Sequence, residues 1–439
     1  MTSSGGRAIA ATAAVLLASA HCAPPAFAVV PPAIDNSLLP PPAPAAPTQP
    51  TEQREPCAVP VPVTGVDVSA TQLAGFDMPE IWRLTRGAGQ RVAVIDTGIA
   101  AHRRLSDVVA GGDYVSSGDG RQDCDGHGTA VAGIIAAAPD RTDRTGFTGM
   151  APEATLIAIR QSSNKFSSSV DPASSGFGDV YSLAMAVRTA ADMGASVINI
   201  SSVACTEEML EDRALGAALS YAVDVKDVVV VAAAGNVGGE GQCPAQNTAV
   251  PPTVIASPAW YDDYVLTVAS LDSSGTPSAF SLRGPWVDVA APGEHVVSLD
   301  PDGVGVIDTM PTPAGQAPMS GTSYATPVVS GLVALVRSRF PRLSARQVMM
   351  RIEATAHHPP GGWNATSGNG VIDPMAALSD QTTASSPPSP RPSAALQPTD
   401  PAPHRPYAVA ATSAALCVAG LIAAASARLG RRHEDVPPD

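Results

Sequence analysis

Lysine is almost missing from this chain of 439 residues: Lys165 and Lys226 stand beside 24 arginines. Forty acidic residues against 26 basic ones leave a formal net charge of −14. That shortage of positive charge argues against a nucleic-acid binder, which needs cationic surface to replace counterions. The preference for arginine reads as the codon bias of a GC-rich genome and carries no chemistry. No internal repeat is visible. No two cysteines have the close spacing of a zinc knuckle, so a structural zinc site is discounted. Disorder throughout is ruled out, because 45% of the residues are hydrophobic and can bury a substantial core. The length suits one large domain or two or three ordinary ones. Proline is the residue in excess: 43 of 439, roughly double the usual ~5%, and concentrated in two tracts.

The two ends of the chain indicate the compartment. Residues 1–28 have the plan of a secretory signal: Arg7, an apolar stretch over 8–20 and small residues Ala26-Phe27-Ala28 at the cleavage position. Residues 408–427 carry no charge over 20 positions and reach about 30 Å as a helix, the thickness of a hydrocarbon core. Arg428, Arg431 and Arg432 follow, against Arg405 alone on the other side, so the positive-inside rule puts the C-terminus in the cytoplasm. The preceding chain then lies outside the cytoplasmic membrane. Cys22 falls in the signal and Cys417 in the span. Cys57, Cys124, Cys205 and Cys243 remain, an even number in an oxidising compartment, which suggests two disulfides with three possible pairings.

Between the ends the chain divides into a Pro-rich extension (29–63), one large domain (64–380), a Pro/Ser-rich linker (381–407), the span (408–427) and a short tail (428–439). Within the domain, apolar runs at 91–96, 154–159, 196–200, 227–233, 264–269 and 286–290 predict strands. Segments 127–138, 178–193, 207–225, 323–340 and 344–356 predict helices between and after them. Strands apolar on both faces that alternate with helices predict an α/β fold: a doubly wound, mostly parallel sheet covered on both sides. In such sheets the working groups gather at the C-terminal ends of strands.

Three segments place chemistry there. RVAVIDTGI ends an apolar strand in Asp96; CDGHGTAVAGIIAA opens an apolar helix with His127; MSGTSYATPVVSGLVALV opens another with Ser323. Alone, each has a plain structural explanation: a strand-end carboxylate, a surface histidine, a helix N-cap. Together they meet one need. A serine hydroxyl is a weak nucleophile until a base takes its proton, and the base needs a carboxylate to orient it. An aspartic-protease site would need a second DTG or DSG, and there is none. A lipase-type site fails because Ser323 lies in GTSYA and not in G-x-S-x-G. VVVVAAAGN supplies a fourth element, Asn236, whose amide is suited to receive a developing oxyanion together with the N–H of Ser323. Nothing in the sequence calls for a cofactor or a metal. Asp113, Asp119, Asp123 and Asp125 lack an EF-hand spacing and read as a solvated loop. Residues 161–176, Ser-rich and without periodicity, read as a mobile surface insertion, with a self-cleavage or partner-docking loop as the sharper alternative.

These four segments resemble the subtilisin-like serine proteases over roughly residues 80–378. The wider layout, from signal to basic tail, resembles the mycosins, membrane-anchored subtilases of actinobacterial type VII secretion systems. The resemblance implies Asp96, His127 and Ser323 as the triad and Asn236 with Ser323 as oxyanion donors. It implies a protein or peptide substrate, cleavage of secreted proteins, association with the secretion membrane complex, and a catalytic domain on the periplasmic side. It also suggests the pairings Cys57–Cys124 and Cys205–Cys243. The alternative is a scaffold subunit of that complex with proteolysis secondary. Two departures bear on detail. ISSVAC replaces the usual Ser-Leu-Gly wall of the specificity pocket, giving Ser201, Ser202 and Val203 opposite Ala233, Ala234 and Gly235; Tyr324 follows the nucleophile where Met is common. The extension is too short and too proline-broken to bury a core of its own, so it is expected to wrap onto the domain.

Overall fold

The computed structural model describes residues 30–63, 71–140, 146–171, 173–238 and 243–380. The sequence-predicted signal, linker, span and tail lie outside them. Among the described residues no helix is long and apolar enough to cross a membrane.

Seven strands form one sheet in the spatial order Val289–Pro292, Val265–Leu271, Val229–Ala233, Val197–Ile200, Arg91–Asp96, Thr155–Arg160 and Val108–Asp113. Every pairing in it is parallel. From Arg91–Asp96 the chain builds two strands to one side, then crosses and builds the other four. Asp96 therefore stands at a reversal of winding, where the connections on either side diverge and leave a crevice. The strands are apolar on both faces because both faces are covered. Helices His127–Ala136 and Thr322–Arg339 pack on each other and on the middle strands, while Val180–Asp192 and Arg213–Ser220 form a second packed pair against the sheet. Of the helix His127–Ala136, every residue after His127 is buried, in keeping with a sequence whose one polar side chain after His127, Thr129, is hydrogen-bonded to Asp123.

The expected strands and helices are present, and three departures bear on the sheet and the helices around it. Val108–Asp113 was not expected, because Gly111 and Gly112 interrupt its pattern; Gly111 is needed where a Cβ would come within 2.7 Å of Ile159. The run 286–290 enters the sheet only at Val289. The helix expected over 207–225 is α-helical over Arg213–Ser220 and continues as a π turn through Val225. It starts at Asp212 because that buried carboxylate is held outside the helix by Ser257 Oγ (2.5 Å), Trp260 Nε1 (2.8 Å) and Tyr261 Oη (2.8 Å).

The extension lies against the domain. Thr51–Gln53 pairs antiparallel with Phe166–Ser168, Arg54 Nη2 donates to the Ser168 carbonyl at 2.6 Å, and Val63 N donates to the Val306 carbonyl. Within 161–176, Ser163, Ser167 and Ser168 are buried and Phe166–Ser168 is paired with the extension, while Ser169–Asp171, Ala173 and Ser175 are exposed. Disulfides join Cys57 to Cys124 and Cys205 to Cys243.

Candidate active site

Asp96 is delivered by the end of its strand and is almost wholly buried. Thr97 N donates to Asp96 Oδ1 at 2.7 Å. The helix bearing His127 starts beside it. Gly126 adopts φ +81, and Gly128 lies so close to the Gly98 carbonyl that a side chain there would overlap it. The helix start is held by Thr97 Oγ1, which accepts from Gly128 N, and by Asp123, whose carboxylate accepts from Gly126 N, Thr129 N and Thr129 Oγ1. A carboxylate at a helix N-terminus also meets the positive end of the helix dipole.

His127 Nδ1 is 2.7 Å from Asp96 Oδ1, and His127 Nε2 is 3.0 Å from Ser323 Oγ. The carboxylate can only accept, so Nδ1 carries the proton and Nε2 of the neutral ring faces the serine hydroxyl. Burial pulls the imidazole pKa down. The charge of Asp96, its hydrogen bond, and the charges of Asp123 and Asp125 outweigh that and hold the pKa above its ordinary value of 6.5. The ring of Tyr324 lies against the imidazole at 5.0 Å. Burial raises the phenol pKa of Tyr324 and keeps it neutral there.

Asn236 follows the strand Val229–Ala233 through a turn at Gly235, whose φ of +106 suits glycine. Asn236 Oδ1 accepts from Thr322 N and Thr322 Oγ1, both at 3.0 Å, which turns Nδ2 outward. A methyl built on Gly321 would lie 3.3 Å from Asn236 Nδ2, 3.0 Å from Ser323 Oγ and 3.7 Å from Ser323 N. The space above Gly321 is therefore where nucleophile and two donors converge.

These groups line a cleft of about 760 Å³. Ser201, Ser202, Val203 and Ala233 line it. Ala234 and Gly235 do not. Ala234 is fully buried, with its N–H bonded to the Val268 carbonyl, and the side of Gly235 that would carry a Cβ faces the Cys205–Cys243 sulfurs, 2.7 Å from Cys243 Sγ. The acidic quartet is not a solvated loop either. Asp113 accepts from Val115 N, Ser116 N and Gly118 N; Asp125 accepts from Ser163 Oγ at 2.5 Å and Asn164 N at 2.7 Å. Only Asp119 keeps to the surface, paired with Arg121. Burial raises the Asp125 pKa against those bonds. Thr97, Thr322 and the hairpin Thr309–Thr312/Gly315–Pro318, whose Met310 reaches the cleft, complete the site and were not anticipated. The threonines had a signal, since Thr97 adjoins Asp96 and Thr322 adjoins Ser323 in sequence.

A carboxylate, an imidazole and a hydroxyl in one hydrogen-bonded line beside two amide donors define a serine hydrolase of the acyl-transfer kind. The subtilase family model matches residues 87–370. Mycosin-4 of Mycobacterium tuberculosis is 57% identical over 416 residues, covering 91% of each chain. A solved structure of the MycP3 protease from the type VII (ESX-3) secretion system is 44% identical, with a TM-score of 0.73, covering 80% of this chain and all of that one. A chain of an intact ESX-5 inner membrane complex is 37% identical, with a TM-score of 0.76, covering 92% and 100%. The chain belongs to the subtilase family, among the mycosins, and is a subtilisin-like serine endopeptidase.

Proposed function

We propose that this protein is anchored in the cytoplasmic membrane and cuts secreted protein substrates on the periplasmic side, as part of a type VII secretion membrane complex. The observation that carries the chemistry is the unbroken line from Asp96 through His127 to Ser323 at 2.7 and 3.0 Å. The likeness to a chain of the ESX-5 inner membrane complex supports the partner. The uncharged stretch 408–427, with arginines behind it, supports the single span and a cytoplasmic tail of 428–439. The signal plan of residues 1–28 supports export of the domain.

In this reading His127 Nε2 takes the proton of Ser323 as Oγ attacks a peptide carbonyl. Asp96 keeps the ring in the right tautomer and stabilises its charged form. Asn236 Nδ2 and Ser323 N–H receive the oxyanion above Gly321. His127 then protonates the leaving amine and later activates the water that hydrolyses the acyl-enzyme. The substrate main chain enters as an extended strand. Phe177 spends both its N–H and its carbonyl on Ser163, and Gly176 and Gly178 on either side of it line the cleft. Selectivity then falls to the cleft residues Ser201–Val203 and Ala233.

The test is Ser323→Ala in the full-length protein, comparing the cleaved secreted proteins and the assembled complex with wild type. Substrate processing is expected to stop. Persistence of secretion and assembly would show a separate scaffold role; unchanged processing would overturn the catalytic assignment.

A further inference from the structure

We infer that Asn199, which touches neither substrate nor any triad side chain, positions the nucleophile by holding the main-chain carbonyl of Ser323. The inference rests on the reading of Ser323 as nucleophile. In an α-helix the carbonyl of residue i receives the N–H of residue i+4. Four residues after Ser323 stands Pro327, inside the helix, and proline has no N–H to give. The carbonyl of the residue that must be aimed most accurately is thus the one its helix cannot fix.

The central strand of the sheet supplies the missing donor. Ser201 Oγ donates to the Ser323 carbonyl at 2.9 Å. Asn199 Nδ2 donates to Ser201 Oγ at 2.9 Å, which leaves the hydroxyl proton free to point at that carbonyl. Ser330 Oγ donates to Asn199 Oδ1 at 2.8 Å, which fixes the amide the right way round. The path leaves the helix at Ser323, crosses to the strand and returns to the same helix seven residues on. Asn199 and Ser330 have no exposed surface, and Ser201 has 6%. The other strand residues are Val197, Ile198 and Ile200, so an amide in this place is the exception to an apolar pattern. A buried polar side chain is retained only where its hydrogen bonds are satisfied, and here all of them serve one carbonyl.

The consequence is geometric. With the first turn tied to the strand, Ser323 Oγ stays 3.0 Å from His127 Nε2 and Ser323 N stays beside Asn236 Nδ2. Ser201 also lines the cleft, so nucleophile and substrate wall are held by one strand end. The path contains no titratable group. Its loss should lower the rate at every pH without moving the acid limb set by His127.

The test uses full-length protein in detergent and a fluorophosphonate probe, which forms a phosphorus bond to Ser323 Oγ as fluoride leaves and His127 takes the proton. Its labelling rate reads the nucleophile without a peptide. Asn199→Leu and Ser201→Ala are expected to slow labelling about ten- to a hundredfold, the range for a buried acceptor stripped of its donor, with the midpoint of the pH profile unchanged. Pro327→Ala restores a helical N–H to the Ser323 carbonyl. In that background the same two substitutions should cost no more than about twofold. Equal losses in both backgrounds, or wild-type labelling in the single variants, would overturn the inference. Should Asn199→Leu lose its thermal transition, Ser330→Ala decides, because it removes only the anchor of the amide oxygen. It should slow labelling, and do so less in the Pro327→Ala background; no slowing counts against the role. Labelling that survives Ser323→Ala would instead mean that the nucleophile itself was misassigned.

Discussion

Adding one methyl group at Gly321 should abolish activity while leaving the fold intact. The residue is extended, with φ 164 and ψ 155, a conformation open to alanine. The three heavy atoms nearest a Cβ there are Ser323 Oγ at 3.0 Å, Asn236 Nδ2 at 3.3 Å and Ser323 N at 3.7 Å. An oxyanion has to sit about 2.7–3.1 Å from its donors, so the methyl would occupy nearly the same place. Removing one such donor typically costs about 10²–10³ in kcat, and the methyl denies access to both. Gly321→Ala should therefore lower kcat by about 10³ or more. Stability should move little. Lost chain entropy in the unfolded state favours alanine by about 0.4–1 kcal/mol, and the tight contact with Ser323 Oγ offsets part of that. The assay is kcat on a peptide amide beside a thermal melt, for Gly321→Ala, Asn236→Ala and the double variant. The two losses should not add, because an excluded oxyanion cannot miss a donor. A folded Gly321→Ala variant within about tenfold of wild type, or losses that add fully, would refute the placement of the oxyanion.

The other predictions concern the imidazole and the straps around it. Because Asp96, Asp123 and Asp125 raise the His127 pKa, activity should fall on acidification with a midpoint above 6.5. Asp96→Asn leaves burial dominant, so the midpoint should move down in pH while kcat drops by about 10⁴; a limb that stays put in a pH–rate profile would contradict this. The same raised pKa binds a proton more tightly in the folded chain. Its stabilising contribution is complete below about 6.5 and disappears as pH rises through the folded value, which melts across that window should detect. Replacing Cys57 and Cys124 together by Ser opens a loop of 67 residues and should cost about 4 kcal/mol in denaturant unfolding; a cost under about 1 kcal/mol would mean the non-covalent contacts of the extension suffice. Deleting the extension should lower the melting temperature without a large gain in peptide hydrolysis, since its described part lies along the rim and enters the cleft only with Gln49 and Ala58. A large gain would show it to be an inhibitor.

The hydrogen-bonded line of Asp96, His127 and Ser323 was legible in the sequence because each member stands where an apolar run stops or starts. Asp96 closes RVAVID, His127 opens HGTAVAGIIA and Ser323 opens a helix of 18 residues, so periodicity alone sends all three to strand and helix ends. What failed to show was any polar residue whose partner is remote. Asn199 interrupts an apolar strand, but its meaning depends on Ser330, 131 residues away. Asp113 and Asp125 look like loop carboxylates because the N–H groups and hydroxyls they accept are assembled only by the fold. Of the wall expected at Ala233, Ala234 and Gly235, only Ala233 lines the cleft, for a local reason. Strand alternation points Ala233 into the cleft and Ala234 away, and the side of Gly235 that would carry a Cβ faces the disulfide.

The segment from Asp123 to His127 links these features. Asp123 caps the catalytic helix; Cys124 is bonded to Cys57 of the extension; Asp125 holds Ser163 and Asn164; His127 reaches Asp96 and Ser323. The loop that Asp125 grips is paired in turn with the extension, through Thr51–Gln53 and the Lys165 carbonyl. The extension thus meets the imidazole by short routes, covalent and hydrogen-bonded, that arrive at the adjacent residues Cys124 and Asp125. A change at the extension can reach the base by moving this turn. Asp125→Asn keeps both partners within reach but weakens the bonds and removes one of the charges that raise the His127 pKa. It should lower the acid midpoint slightly and make the extension easier to release in limited proteolysis. A variant that did only the first would show that the carboxylate acts on the imidazole by charge alone; one that did neither would remove Asp125 from the linkage.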